Sequence, residues 1–312
     1  MNANSQAIVI FCSQLCITEG INPLKPSEWS GLAEKLMARR LEPRNLLNFS
    51  AHSFMSELGL SEEYAQRLLR LTDRSAGLFA ELHRYAAEGI SVYTRADHAY
   101  PLQLKRKLGQ KCPPLFYCAG DMQILGLRVV GFTGPQEIDD DDSRFTRRAV
   151  RKTCARRLGV ASGGGEGAES LVVQTALTEG WPVIEYIAGG LSALIRRKDV
   201  KDSIASGRRL VLSEAIPGAD FDSECAVSVS RYIYAQSEAA VVVRAEMKDS
   251  VTWSGAAENL KNKYCPLFCR DTSSEGSMAL ISMGAVPIGN DWDGDITRPY
   301  IRPGQMEIPY PM

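Results

Sequence analysis

"LRVVGFTGPQEIDDDDSRFTRRAVRKTCARRLGVASGGG", Leu127 to Gly165, is the stretch that decides the fold. Leu127 to Gly134 carries an apolar core and ends in a glycine-bearing turn, the pattern of a central parallel strand buried on both faces. Arg144 to Gly159 reads as a helix, and Gly159 to Gly164 as a second strand running into a loop of glycines. Strand, helix and strand in this order predict a parallel pair, because a parallel partner is reached only through a crossover.

The alternation continues downstream. "EGAESLVVQTALTEG" predicts a helix and "WPVIEYIAGG" a strand and loop, and "RRLVLSEAIPG", "ECAVSVSRYIYAQS", "AAVVVRAEM", "GAAENLKNKY" and "CPLFCRD" carry the pattern on. The expected fold class is α/β: an open, mostly parallel sheet with helices on both faces, preceded by a small all-helical module. The module, residues 1–89, rests on three helices. "SEWSGLAEKLMARRLEP" has Ser27 or Ser30 as cap and Leu32, Leu36 and Leu41 in period; "LSEEYAQRLLRLTDR" has Ser61 before Glu62 and Glu63, with Tyr64, Leu68 and Leu71; "AGLFAELHRYAAEG" has Leu78, Leu82 and Tyr85. The α/β domain spans 90–290, starting at the strand-like "ISVYT", and 291–312 form an irregular tail rich in proline.

Composition narrows the function. The 36 Lys+Arg against 37 Asp+Glu leave a formal charge of -1, so nucleic-acid binding would have to come from a local patch. Eight cysteines in 312 residues do not form a small disulfide framework, and Cys12/Cys16, Cys112/Cys118 and Cys265/Cys269 read as reduced thiols. With only three histidines and no Cys-x2-Cys pair, no metal site is expected. No apolar run is long enough to span a membrane and the N-terminus lacks a signal-peptide pattern, so no membrane partner and a cytoplasmic location are expected.

Ser162 to Gly167 place Ser162, Gly163, Gly164, Gly165 and Gly167 between a strand and a helix. Bare backbone there turns amide N–H groups toward an anion at the positive end of a helix dipole; the alternative is a turn that needs glycine only for its dihedral angles. Glu166 and Glu169 stand at the helix start. Glu169 either caps and packs or binds a hydroxyl or polar base group. Gly131 and Gly134 end the previous strand, but Pro135 follows and no third glycine completes a dinucleotide fingerprint; nor is there a Gly-Lys-Ser/Thr ending. No cofactor is expected.

Glu137 and Asp139 to Asp142 put five acids into six positions, followed by Arg144, Arg147, Arg148, Arg151, Lys152, Arg156 and Arg157 with no acid between. This helix either contacts backbone phosphates or is a solvated helix whose arginines pair with the preceding acids. Arg196, Arg197, Lys198 and Lys201, with Arg208 and Arg209 beyond, make a second basic group. Tyr232, Tyr234 and Trp253 are available to stack on bases or to fill the core. No convincing catalytic set emerges: the histidines lie outside the strand-end loops, and Ser254 and Cys269 lack partners.

The ordered motifs resemble the DNA-processing protein A (DprA, or Smf) family. "RADHAYPLQL" is similar to its Asp-x-x-Tyr-Pro-x-x-Leu through Asp97, Tyr100, Pro101 and Leu104, and "CPPLFYCAGD" to its Pro-x-x-Leu segment. "VVGFTG", "SGGGEGAESLVVQTAL", "LVLSEAIPG", "SRYIYAQSEAAVVVRA" and "EGSMALISMGAVPI" follow in the family's order over roughly 90–288. Ser162, Gly163, Gly167 and Arg231 match the family's pocket directly. Glu169 stands for its aspartate, Val173 for its histidine, and Glu166 and Thr133 for two of its arginines. The resemblance implies a Rossmann-like core in a non-enzymatic protein. It implies binding of single-stranded DNA as a homodimer and loading of RecA in transformation or recombination. The glycine loop also resembles the LOG-like nucleotide-binding group, which implies a small nucleotide or phosphate ligand: a sensor, or a nucleoside-phosphate hydrolase using Glu166 or Glu169.

Overall fold

The computed structural model describes residues 1–17, 20–247 and 250–297; most of the predicted tail, from 298 on, lies outside them. The chain divides into two compact units, Met1–Met122 with Gly189–Asp202 and Val211–Asp222, and Gln123–Ala188 with Ser203–Leu210 and Ser223–Met312.

The first unit starts with five helices: α1 (Ala3–Cys12), α2 (Pro26–Ala38), α3 (Ala51–Leu58), α4 (Glu62–Asp73) and α5 (Ser75–Ala87). In α1, Ala7 to Phe11 are all buried, so its apolar run is core. Neither Ser27 nor Ser30 caps α2. The helix opens at Pro26, whose missing amide costs nothing in a first turn, and the Glu28 carboxylate accepts the Lys25 N–H at 2.8 Å. Ser30 is buried, with its hydroxyl accepting from Arg95. Ser61 does cap α4, accepting the Tyr64 N–H, and Leu68 and Leu71 are buried as their spacing predicts. Strand β1 (Ser91–Thr94), helix α6 (Leu102–Leu108) and strand β2 (Leu115–Ala119) follow. β1 pairs with β2 antiparallel from Ser91↔Cys118 to Thr94↔Leu115.

The second unit holds the parallel sheet. Its elements begin with β3 (Val129–Thr133), α7 (Asp140–Ala155), β4 (Gly159–Gly163), α8 (Ala168–Thr178) and β5 (Val183–Tyr186). Helix α9 (Leu191–Ile195) and the start of α10 (Lys198–Ala205) belong to the first unit, and the end of α10 leads to β6 (Arg209–Ser213). Then come α11 (Ser223–Gln236), β7 (Ala239–Val242), α12 (Val251–Asn262), β8 (Leu267–Arg270), α13 (Glu275–Ser282) and β9 (Val286–Ile288). From the first residues of β6 the strand order is β6, β5, β4, β3, β7, β8, β9, with β3 parallel to both β4 and β7. The last residues of β6 belong to the first unit, where they pair antiparallel with β2.

Side chains alternate across β3 as a pleated strand requires. Val130 and Phe132 join Phe145, Ala149 and Val150 of α7 and Val172, Val173 and Ala176 of α8 in one buried cluster. Gly131 faces the other way, where a Cβ would collide with Ile233 of α11 and with Ser237 just past its end. Helices therefore flank this mostly parallel sheet on two faces, in agreement with the expected α/β class. Among the described residues no helix is long and apolar enough to cross a membrane, and no cluster of His, Cys, Asp and Glu could hold a metal ion.

Candidate nucleic-acid interface

The chain leaves β3 for β4 on one side and returns to β7 on the other. The connections after β3 and β7 thus diverge, and a crevice at the carboxyl ends of such a strand pair is where α/β sheets hold ligands. Three strand-end loops meet there. The Thr252 hydroxyl, in the first turn of α12, donates to the Gly134 carbonyl at 3.0 Å; Ala168 N–H donates to the Pro135 carbonyl at 3.0 Å. Below them the Thr133 hydroxyl and the Tyr234 phenol share a hydrogen bond of 2.9 Å. Lys248 and Asp249, in the loop after β7, lie outside the described residues.

The glycine loop bends back on its own helix. Gly167, at the start of α8, has φ 68° and ψ -120°, a region open essentially to glycine, and a Cβ there would enter the Gln136 backbone. Gly163 and Gly165 are bare for a different reason. The Glu169 carboxylate folds over them, accepts the Gly165 N–H at 3.0 Å, and fills the space a Cβ on either glycine would need. Gly164 N–H donates to the Tyr186 carbonyl at 3.1 Å. Among the described residues the amides of Glu166 and Gly167 have no hydrogen-bond partner. The Ser162 hydroxyl points down into the sheet and donates to the Phe132 carbonyl. Desolvation pushes the Glu169 carboxyl up to about 7, against the lowering effect of the Gly165 hydrogen bond and with further raising by Glu185.

Glu185 is the residue that sequence reading passed over. It is buried in β5 and held by Arg209 of β6 at 2.6 Å, with both side chains almost fully enclosed. A single acid inside the apolar "VIEYI" was its signal, since a buried charge demands a partner. Arg209, read as part of the second basic group, is accordingly not a surface cation. Arg196 pairs with Glu88 and Arg197 with Asp199 on the exterior of the first unit.

On α7 the acids and arginines do not neutralise one another as the solvated-helix alternative expects. Asp139 caps the helix, accepting the Asp142 N–H at 2.7 Å, and this bond holds its carboxyl below the usual range. Asp142 is buried and takes Arg270 at 2.8 Å and Arg244 at 2.9 Å, both from beyond the helix, while Asp141 also pairs with Arg270. Only Arg144 turns back, to Asp141 at 3.3 Å. Arg151 pairs with Glu179 at 2.8 Å, and Arg147 and Arg148 are exposed with no ion-pair partner among the described residues. The opposite face, with Phe145, Ala149 and Val150, is core. Because α7 leads from the carboxyl end of β3 back to the start of β4, its arginines run away from the glycine loop, Arg144 to Arg151 spanning about 10 Å.

Arg231 donates through Nε to Glu258 of α12 at 2.7 Å and is half-buried. Tyr232 and Tyr234 are core, whereas Trp253 is partly exposed. Of the candidate nucleophiles, the Ser254 hydroxyl donates to Val251 O, and burial pushes the Cys269 thiol up to about 11.

Residues 91–294 match the family model described as DNA recombination-mediator protein A. No curated protein matches the chain in sequence. Among solved structures, DNA processing protein A (DprA) from Streptococcus pneumoniae is similar at 20% identity and a TM-score of 0.65, covering 85% of this chain and 95% of that one. DNA processing protein A from Helicobacter pylori, whose single-stranded DNA binding mode that structure describes, is similar at 20% identity and a TM-score of 0.52, covering 64% of this chain and 90% of that one.

Proposed function

This chain belongs to the DNA recombination-mediator protein A family, and from that membership we propose that it binds single-stranded DNA as a non-enzymatic accessory protein of DNA uptake or recombination. The observation that carries the reading is the exposed face of α7, where Arg147 and Arg148 are free of the acidic run and Arg151 is tied only to a surface glutamate. Guanidinium groups spread along one helix face suit the successive phosphates of a strand, because each contact releases counterions whatever the base. The open amides of Glu166 and Gly167 in the glycine loop supply a second anion site, whereas Gly131, expected beside it, is committed to packing inside β3 against Ile233 and Ser237. Asymmetric placement is part of the proposal: the loop receives one phosphate and the helix guides the strand away from it. Homodimerisation, RecA loading and a cytoplasmic location complete this reading. So does the division into a helical module at 1–89, a DNA-binding domain at 90–290 and a tail.

The test is the salt dependence of affinity for a labelled oligothymidylate. With three exposed arginines engaged, log K is expected to fall with log salt at a slope of about -2, from about -0.7 per phosphate contact on single strands. Replacing Arg148 and Arg151 together by alanine is expected to weaken binding and flatten the slope to about -0.7. An oligonucleotide not retained even at low salt overturns the proposal.

A second reading, a small-nucleotide sensor or a nucleoside-phosphate hydrolase, is favoured by one observation: the raised Glu169 carboxyl has the protonation behaviour of a general acid near neutral pH. Turnover of a nucleoside monophosphate, lost in Glu169→Gln, would establish the hydrolase. Saturable nucleotide binding without turnover would establish the sensor.

A further inference from the structure

The glycine loop already holds an anion of its own. The Glu169 side chain, one residue into α8, returns across Gly163 and Gly165 and takes the Gly165 N–H, so its carboxylate occupies the cradle that the bare backbone creates. We propose that Glu169 makes phosphate binding at this loop proton-linked: a DNA phosphate is accepted beside it only when Glu169 is protonated, so binding to the ionised form takes up one proton per strand. The inference rests on the single-stranded DNA reading and concerns the regulation of that site.

Among the described residues no cation pairs with the Glu169 carboxylate. From β5 it faces Glu185, whose charge is committed to Arg209 of β6 and which further disfavours a second negative charge. From α11 the neighbouring titratable group is Tyr234, whose phenol is engaged with Thr133. The face of α7 that packs against α8 is apolar, formed by Phe145, Ala149 and Val150. On the loop itself Glu166 is exposed and adds only negative charge. A phosphate at this half-buried turn would meet the open amides of Glu166 and Gly167 together with the Glu169 carboxyl. With Glu169 ionised, two like charges would share the same half-buried turn. With Glu169 neutral, its carboxyl becomes a hydrogen-bond donor to a phosphate oxygen. The carboxyl titrating at about 7 places this change near neutral pH.

Arginines do not titrate in this range, so their contribution to DNA affinity is constant and the linkage is separable from it. At fixed ionic strength, affinity of the wild-type chain for oligothymidylate is expected to fall about tenfold between about pH 6 and about pH 8. Glu169→Gln, which keeps the carbonyl acceptor for Gly165, is expected to bind at pH 8 as tightly as the wild type does at pH 6. Calorimetry of the unmodified protein in two buffers of different ionisation enthalpy reads the proton directly, at about half per strand near pH 7 and close to about one near pH 8. Binding with the same pH profile in both proteins and no proton uptake overturns the inference while leaving the DNA reading intact. Absence of oligonucleotide binding at every pH defeats both.

Discussion

Gly167 and Glu169 act in opposite senses on one loop. The glycine supplies a backbone conformation no side chain tolerates, and the glutamate fills the space that neighbouring glycines vacate. Glu169 also has a consequence for stability, apart from any ligand. Its folded carboxyl titrates at about 7, above the value near 4.3 in an unfolded chain, so the native state holds a proton that the unfolded state releases. This contribution is full below the unfolded value and is lost as pH rises through about 7. The melting temperature of Glu169→Gln relative to wild type is therefore expected to climb across that window and then level; a constant difference would show an unperturbed carboxyl. The glycine loop was legible as a strand-to-helix connection from spacing alone. That its cradle is occupied by its own carboxylate was not, because the return of a side chain onto the preceding turn depends on rotamer and packing.

At the scale of elements, α7 shows how a charge pattern misleads when only neighbours in sequence are counted. Five acids before a run of arginines suggest pairing within one helix. The structure instead buries Asp142 beneath Arg244, just past β7, and Arg270, the last residue of β8, and leaves Arg147 and Arg148 exposed. Asp142 is thus a clamp between the helix start and the far strands. Its replacement by alanine leaves the enclosed Arg270 with only Asp141, and is expected to lower the unfolding free energy by about 3 kcal/mol. Urea unfolding midpoints at unchanged m-value measure it. A loss below about 1 kcal/mol would mean that the network adds little beyond a surface pair. Other elements were read well from pattern because their signals are local. β3, β4, α8 and the Ser61 cap of α4 follow from apolar runs and turn residues. Neither serine of the expected pair caps α2, because a proline start needs no serine.

Across the whole chain a formal charge of -1 places the burden of the proposed DNA binding on local patches, and the cysteines test how far the rest is core. Cys16 is exposed and Cys225 half-buried; the other six are buried, and desolvation raises the thiols of Cys12, Cys118 and Cys154. A thiol reagent at about pH 8 is expected to modify Cys16 fastest and Cys225 next, with all eight reacting only after denaturation. Rapid native labelling of more than two would contradict the burial of the two units. What the amino-acid order determined by itself was the succession of strands and helices and the position of the glycine loop, since periodicity and turn chemistry act over a few residues. Only the tertiary structure decided which charges meet: Glu185 with Arg209, Asp142 with Arg244 and Arg270, Arg231 with Glu258. Charge pairing depends on distance in space and on the loss of water, and neither is written in the spacing of residues along the chain.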